Sequence, residues 1–151
     1  MIPLKILTLN VKGMATPSRR ALIFRFLRNI QAHVICLQEV HAPADCTFWS
    51  TQWGGAASWN NHTAILFHPS LGHATFSVSH RNRVLASTFC FQGQDYTIAN
   101  LYAPPSETLR NRFFNELSQE TSLFSTYDFL VGDWNSYPDF LRDRSLPPPC
   151  C

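Results

Sequence analysis

Three consecutive segments at the start of the chain limit its fold more than anything that follows. "LKILTLNV" (residues 4–11) is an apolar, β-favouring run that ends around Asn10. "TPSRRALIFRFLRNIQ" opens with Thr16, suited to an N-cap, and Pro17, which lacks the N–H that a first helical position would leave unpaired. Ile23, Phe26, Leu27 and Ile30 then recur at helical spacing, with arginines on the other faces, and are the expected core face. "HVICLQEV" (33–40) is a short apolar run of the kind found in strands covered on both faces. Strand, helix and strand with a connection of this length form the crossover that parallel strands require.

The rest of the chain continues as a mixed α/β order. Residues 42–61 carry Trp49, Trp53 and Trp59 around a glycine pair and are expected to form a short helix and loop. "AILF" (64–67) reads as a strand ended by Pro69, and "RVLASTFCFQGQDYTIANLYAP" as a hairpin turning at Gln92-Gly93-Gln94. Ser106 caps an expected helix with Leu109, Phe113 and Leu117 at i, i+4 and i+8, and "YDFLVGD" (127–133) is the last strand. Beyond Asn135, prolines and charges predict loop. No internal repeat is present. The expected organisation is one α/β domain over residues 1–145 with an irregular tail at 146–151.

Composition narrows the class without naming it. With 45% apolar and 15% charged residues, the chain is globular rather than disordered. A net charge of +2 does not by itself imply nucleic acid, although arginines cluster at 19–28 and 81–112 and permit a phosphate-bearing partner. There is no transmembrane run and no signal-peptide pattern, so an intracellular protein is expected. Five cysteines without metal-type spacing suggest reduced thiols, with Cys36 and Cys90 expected as core fillers.

Several polar residues share one placement, the end of an apolar run: Asn10, Glu39, Tyr102 and Asp133, with Asn135 two positions on. Ligands gather at such strand ends in α/β sheets. A carboxylate such as Glu39 can hold Mg²⁺, which keeps several waters and takes one or two protein carboxylates plus substrate oxygens. Asp133 can orient or deprotonate an attacking water, while the amides and the phenol can hydrogen-bond phosphoryl oxygens as charge builds. Each residue alone has a plainer reading. Asn10, Asp133 and Asn135 suit turns, Glu39 suits an exposed strand terminus, and Tyr102 suits packing.

"LNVKGM", "LQEVH", "NLYAPP" and "GDWN", in this order, resemble the motifs of the endonuclease/exonuclease/phosphatase superfamily. The likeness is greatest to the apurinic-type endonuclease domain of LINE-like retrotransposons and runs from residue 4 to about residue 145. The resemblance implies a four-layer α/β sandwich of two mixed sheets with helices outside. It also implies hydrolysis of phosphate esters with Mg²⁺, or Mn²⁺ in its place, and DNA as substrate, hence a nuclear site of action. By motif, Glu39 and Asn10 resemble the metal site, Tyr102 the tyrosine at the scissile phosphate, and Asp133 and Asn135 the pair that positions water. Arg81 and Arg144, the latter within "RDRS", are expected with Tyr102 to contact substrate.

The sequence departs from that pattern in two places. His62 and Thr63 in "NNHTAILF" stand where relatives carry a glycine-containing turn. The family's later Asp and Ser-Asp-His motif has no counterpart, and all six histidines precede Asp133. His41, near Glu39, is expected to be a bystander. A domain little more than half complete is therefore expected to be a weak or inactive catalyst. It would also leave one sheet with an apolar face in water, costing on the order of 10 kcal/mol unless another polypeptide covers it. Two rival readings follow: a non-catalytic retroelement remnant that binds nucleic acid or a partner, and a phosphatase of the same superfamily.

Overall fold

A computed structural model describes residues 1–71, 74–79, 81–120 and 126–136. The element order is β1 (Ile6–Asn10), α1 (Pro17–Ile30), β2 (Val34–Gln38), α2 (Thr47–Trp53), β3 (Ala57–Trp59), β4 (Thr63–Phe67), β5 (Ala74–Ser79), β6 (Val84–Phe91), β7 (Gln94–Tyr102), α3 (Glu107–Gln119) and β8 (Phe129–Asp133). Two four-stranded sheets form, ordered β1-β2-β4-β3 and β5-β6-β7-β8. Each contains one parallel pair, β1 with β2 and β7 with β8, and is otherwise antiparallel.

The layers follow from where the apolar residues go. Val34, Cys36, Ile65 and Phe67 of the first sheet meet Leu85, Phe89 and Ile98 of the second, which makes the inter-sheet core. On the outer face of the first sheet, Phe24 and Leu27 of α1 and Trp49 and Trp53 of α2 pack on Ile35, Leu37 and Leu66. On the outer face of the second, Phe113 and Leu117 of α3 cover Val84, Ala86, Ala99 and Leu101. This is an α/β/β/α sandwich, and β2 and β4, buried along their whole length, explain the uninterrupted apolar runs.

The chain itself supplies strands to both sheets. The expectation of a single sheet with one bare face is therefore corrected: β5 to β8 lie against β2 and β4 and bury that face. The 151 residues do not hold one sheet and omit the other; the hairpin and the last strand belong to the second sheet.

Other local expectations also shift. The buried residues of α1 are Arg20, Phe24 and Leu27, whereas Phe26 and Ile30 are exposed. Arg20 can be buried because it donates to the carbonyls of Met14 and Ala15 and to Gln52 Oε1, and its guanidinium lies 4.7 Å from the Trp49 ring centroid. In α3, Leu109 is exposed and only Phe113 and Leu117 point inward. The hairpin turns on two residues, Gln92 and Gly93, both at positive φ, because Phe91 already pairs with Gln94. Strand alternation places Phe89 inward and Cys90 in solvent, so Cys90 is not a core filler, while Cys36 is. The short strands β3 and β5 had no clear signal in the sequence. No helix among the described residues is long and apolar enough to cross a membrane.

Candidate active site

Register brings the polar strand ends to one rim. In the first sheet Asn10 pairs with Gln38, so Asn10 lies beside the residue preceding Glu39; in the second, Tyr102 pairs with Asp133. Contacts of β8 with β1 and β2 set the two pairs opposite each other across the sandwich.

The side chains meet there. Asn10 Nδ2 donates to Glu39 Oε1 at 2.8 Å and to Asp133 Oδ2 at 2.9 Å. Tyr102 Oη donates to the same Glu39 oxygen at 3.0 Å. The amide is fixed from its other end, since the backbone N–H of Lys12 donates to Asn10 Oδ1 at 2.9 Å. Glu39 sits just past β2 at φ 54°, a left-handed conformation that turns its carboxylate off the strand line toward Asn10. Asp133 Oδ1 accepts from the backbone N–H of Asn135 at 3.0 Å, an Asx turn. Asn135 Nδ2 donates to the Ala103 carbonyl at 2.7 Å, which ties the segment after β8 to that after β7.

Two further features hold this rim. Asn100 Nδ2 donates to the carbonyls of Leu37 and Ala64, both at 2.9 Å, and Gln38 Nε2 donates to Asn100 Oδ1 at 2.8 Å and to Thr8 Oγ1 at 3.0 Å. Both side chains are buried, so this bridge stitches the sheets together one residue before Glu39 and two before Tyr102. Gly132, at φ 143°, pairs with Leu101, and a Cβ there would come within 1.9 Å of the Leu101 carbonyl oxygen. Only glycine lets β8 approach β7 closely enough to set Asp133 beside Tyr102.

The surroundings are cationic on one side. The Arg83 guanidinium lies 5.1 Å from the Tyr102 ring centroid and donates to the Tyr102 carbonyl at 3.2 Å, and the His62 ring is 5.7 Å from that of Tyr102. Burial, the bond to Glu39 and the negative charge of Glu39 push the Tyr102 phenol up to about 12, so it is a proton-bearing donor at neutral pH. Burial, then Arg83 and His41, lowers the His62 imidazole below its ordinary value. His41 is exposed on the loop after Glu39.

A hollow of about 360 Å³ opens beside the cluster, lined among others by Thr8, Asn10, Gln38, Asp133, Trp134 and Asn135. The residues present fit a hard cation: the Glu39 and Asp133 carboxylates flank the Asn10 amide, and Asn10 and Asp133 line the hollow. No group of three or more His, Cys, Asp or Glu side chains gathers among the described residues.

Asn10, Glu39, Tyr102, Asp133 and Asn135 are thus brought together. Arg81 is held elsewhere, in an ion pair with Glu116 at 3.0 Å, and Arg144 lies outside the described residues. The arginine that reaches Tyr102 is Arg83, which sequence reasoning did not single out. Gln38 and Asn100 were missed too, although a polar residue inside "VICLQ" and another inside "TIANLY" are the kind of buried polar group that calls for a partner.

Fold and rim together define a four-layer α/β sandwich with a carboxylate–amide–phenol cluster at one end of its strands. The chain belongs to the Endonuclease/Exonuclease/phosphatase family, whose profile matches residues 7–149. It is 32% identical to a Xenopus laevis protein described as "Transposon TX1 uncharacterized 149 kDa protein", over 95% of this chain and 12% of that one. Among solved structures it is similar to D. rerio TDP2 complexed with single-strand DNA product, with a TM-score of 0.66, 18% identity, and coverage of 91% of this chain and 62% of that one. It is also similar to the endonuclease domain of TRAS1, a telomere-specific non-LTR retrotransposon, with a TM-score of 0.62, 12% identity, and coverage of 91% and 63%. The chain therefore spans less than two thirds of each of these relatives.

Proposed function

We propose that this chain carries the cation- and water-positioning half of a phosphodiesterase site of the DNA-endonuclease type. The observation that supports this reading is the sharing of one amide, Asn10 Nδ2, between the Glu39 and Asp133 carboxylates, with the Tyr102 hydroxyl on Glu39. Kinship with a transposon protein and similarity to the TRAS1 endonuclease domain favour DNA over a phosphomonoester substrate.

Glu39 and the Asn10 amide would hold Mg²⁺ or Mn²⁺, and a bound cation would supply Lewis-acid stabilisation of the phosphoryl oxygens. The protein's own groups do the rest. Asp133 keeps lone pairs beyond the bonds from Asn10 and Asn135 and can accept a proton from a water in the hollow, fixing its direction of attack. Tyr102, protonated at neutral pH, donates one hydrogen bond that can pass from Glu39 to a phosphoryl oxygen as negative charge grows there. Among the described residues no histidine hydrogen-bonds to this cluster, so the rate expected of this chain by itself is low. Members of a catalytic set act together, and the loss of one removes much of the benefit of the others.

Supercoiled plasmid incubated with the protein tests the reading. Nicking in Mg²⁺ that disappears in EDTA and in Glu39→Ala supports it. Retention of DNA without nicking at any Mg²⁺ or Mn²⁺ concentration would favour a non-catalytic binding remnant instead.

A further inference from the structure

The end of the sandwich opposite the carboxylate cluster carries a second group of polar side chains that the proposed chemistry does not use. Lys5 immediately precedes β1, His33 precedes β2 and His68 follows β4. These strands are neighbours in the first sheet, so the three residues lie in a row at its far end. The backbone fixes the row: His33 N–H donates to the Lys5 carbonyl at 2.9 Å, and His68 N–H to the His33 carbonyl at 3.0 Å. The five residues of β2, at about 3.3 Å each, put roughly 16 Å of strand between His33 and Glu39. A hollow of about 310 Å³ opens at this end, lined by Ile2, Lys5, Gln31, His33, His68 and Ser70, none of them acidic.

Hydrogen bonds decide what the two imidazoles can offer that hollow. The backbone N–H of Lys5 donates to His33 Nδ1 at 3.0 Å. The backbone N–H of Ser70 donates to His68 Nδ1 at 3.1 Å, and Ser70 Oγ lies 2.7 Å from the same nitrogen. A ring nitrogen that accepts a backbone N–H carries no proton, so each neutral ring bears its proton on Nε2. Both rings are therefore hydrogen-bond donors at Nε2, and neither presents a lone pair there to a metal. Burial, then His68 and Lys5, hold the His33 imidazole below its ordinary value, as cationic groups do when they crowd one another without an anion. Helix α1 also ends here, with Gln31 as its C-cap. Its negative end favours a nearby cation such as Lys5 but gives no reason for two neutral donor rings around a hollow.

We propose that this hollow binds a phosphate group through the Nε2–H donors of His33 and His68 and the Lys5 ammonium. Lysine serves phosphate as a point charge, and hydrogen bonds to an ionised acceptor are the strong ones. Donors from three separate strand ends suit a tetrahedral oxyanion, which offers acceptors in several directions. The site is remote from Glu39 and needs no metal, so it stands or falls apart from the phosphodiesterase reading.

Imidazole ¹⁵N NMR of the whole chain, titrated with inorganic phosphate at neutral pH, constant ionic strength and in EDTA, tests it. Saturable shifts are expected at the Nε2 resonances of His33 and His68, with none at His41 on the opposite rim. His33→Asn and His68→Asn keep an acceptor where Nδ1 stands and lose the Nε2 donor. Each should stay folded by circular dichroism and bind phosphate roughly tenfold more weakly, as should Lys5→Gln. His33→Gln, whose amide nitrogen stands in for Nε2, should retain more of the affinity than His33→Asn. A parallel titration with O-phosphoserine separates the sources: tighter binding than inorganic phosphate assigns the hollow to a phosphate ester, and weaker binding assigns it to the free ion. Wild-type shifts that never saturate, equal shifts with chloride, or wild-type affinity in a folded His33→Asn/His68→Asn double variant would overturn the site. Should the variants fail to fold, the wild-type titrations decide alone.

Discussion

Asn10 and Asp133 lie 123 positions apart and are joined by a 2.9 Å hydrogen bond whose donor nitrogen also serves Glu39. One NH₂ group thus sits between two carboxylates that would otherwise confront each other. Replacing Asn10 by Ala removes the one donor that, among the described residues, is common to both. The expected cost is about 1–3 kcal/mol, read as a lower melting temperature in EDTA. Because the Asn10 amide is itself one of the groups proposed to hold the cation, millimolar Mg²⁺ should raise the melting temperature of the wild type more than that of Asn10→Ala. Equal shifts in both proteins would speak against a cation site at this pair.

Tyr102→Phe deletes the hydroxyl and leaves the ring under Arg83 in place. The fold should be retained, while plasmid nicking falls by roughly 10²–10³-fold, the size seen when one donor to a developing oxyanion is lost. A variant that nicks at the wild-type rate would confine Tyr102 to packing.

The raised Tyr102 phenol also fixes a pH dependence. Its folded value of about 12 exceeds the ordinary 10, so the unfolded chain gives up this proton first. The stability it contributes is complete below pH 10 and is lost as pH rises from 10 through about 12. Denaturant midpoints should fall across that window, and less steeply in Tyr102→Phe. His62 works at the opposite end. Its folded value lies below 6.5 through burial, Arg83 and His41, against the opposing pull of Glu39, so the unfolded chain binds that proton more readily. Stability should therefore rise with pH up to about 6.5, with a shallower limb in His62→Gln. Parallel limbs in the variant and the wild type would refute the assignment.

Gly132→Ala should be among the most damaging single-methyl additions in the chain. The backbone conformation alone costs about 1–3 kcal/mol for a residue with a Cβ, and the added carbon would also meet the backbone of Leu101. The β7–β8 pairing that carries Asp133 must open to accommodate it. Hydrogen exchange should report faster exchange at Leu101 to Ala103 than in the wild type, together with a lower melting temperature.

Asn100→Ala removes the donor that two buried carbonyls share and leaves Gln38 without its inter-sheet partner. Each orphaned buried group costs about 1–3 kcal/mol, so a loss of stability comparable to a large core truncation is expected in chemical denaturation. A cost within about 0.5 kcal/mol, typical of a surface substitution, would show that water substitutes freely at the bridge.

The amino-acid sequence by itself determined the local elements and their order. Apolar runs gave β1, β2, β4, β6, β7 and β8, Thr16-Pro17 and Ser106 marked two helix starts, and the polar residues that end those runs marked the rim. These features depend on neighbours in the chain, which periodicity and propensity record directly. What only the tertiary structure decided is which groups touch. The α1 face that is buried carries Arg20 in place of Phe26 because Met14, Ala15 and Gln52 offer acceptors that no helical period reveals. Arg83, and not Arg81, lies at Tyr102 because Arg83 directly precedes β6, whose first residues pair with β7, while Glu116 of α3 takes Arg81. The sharing of Asn10 between Glu39 and Asp133, and the Gln38–Asn100 bridge beneath it, arise from the register of two sheets packed face to face. That register is set by side-chain packing between strands remote in sequence, a quantity that no single segment contains.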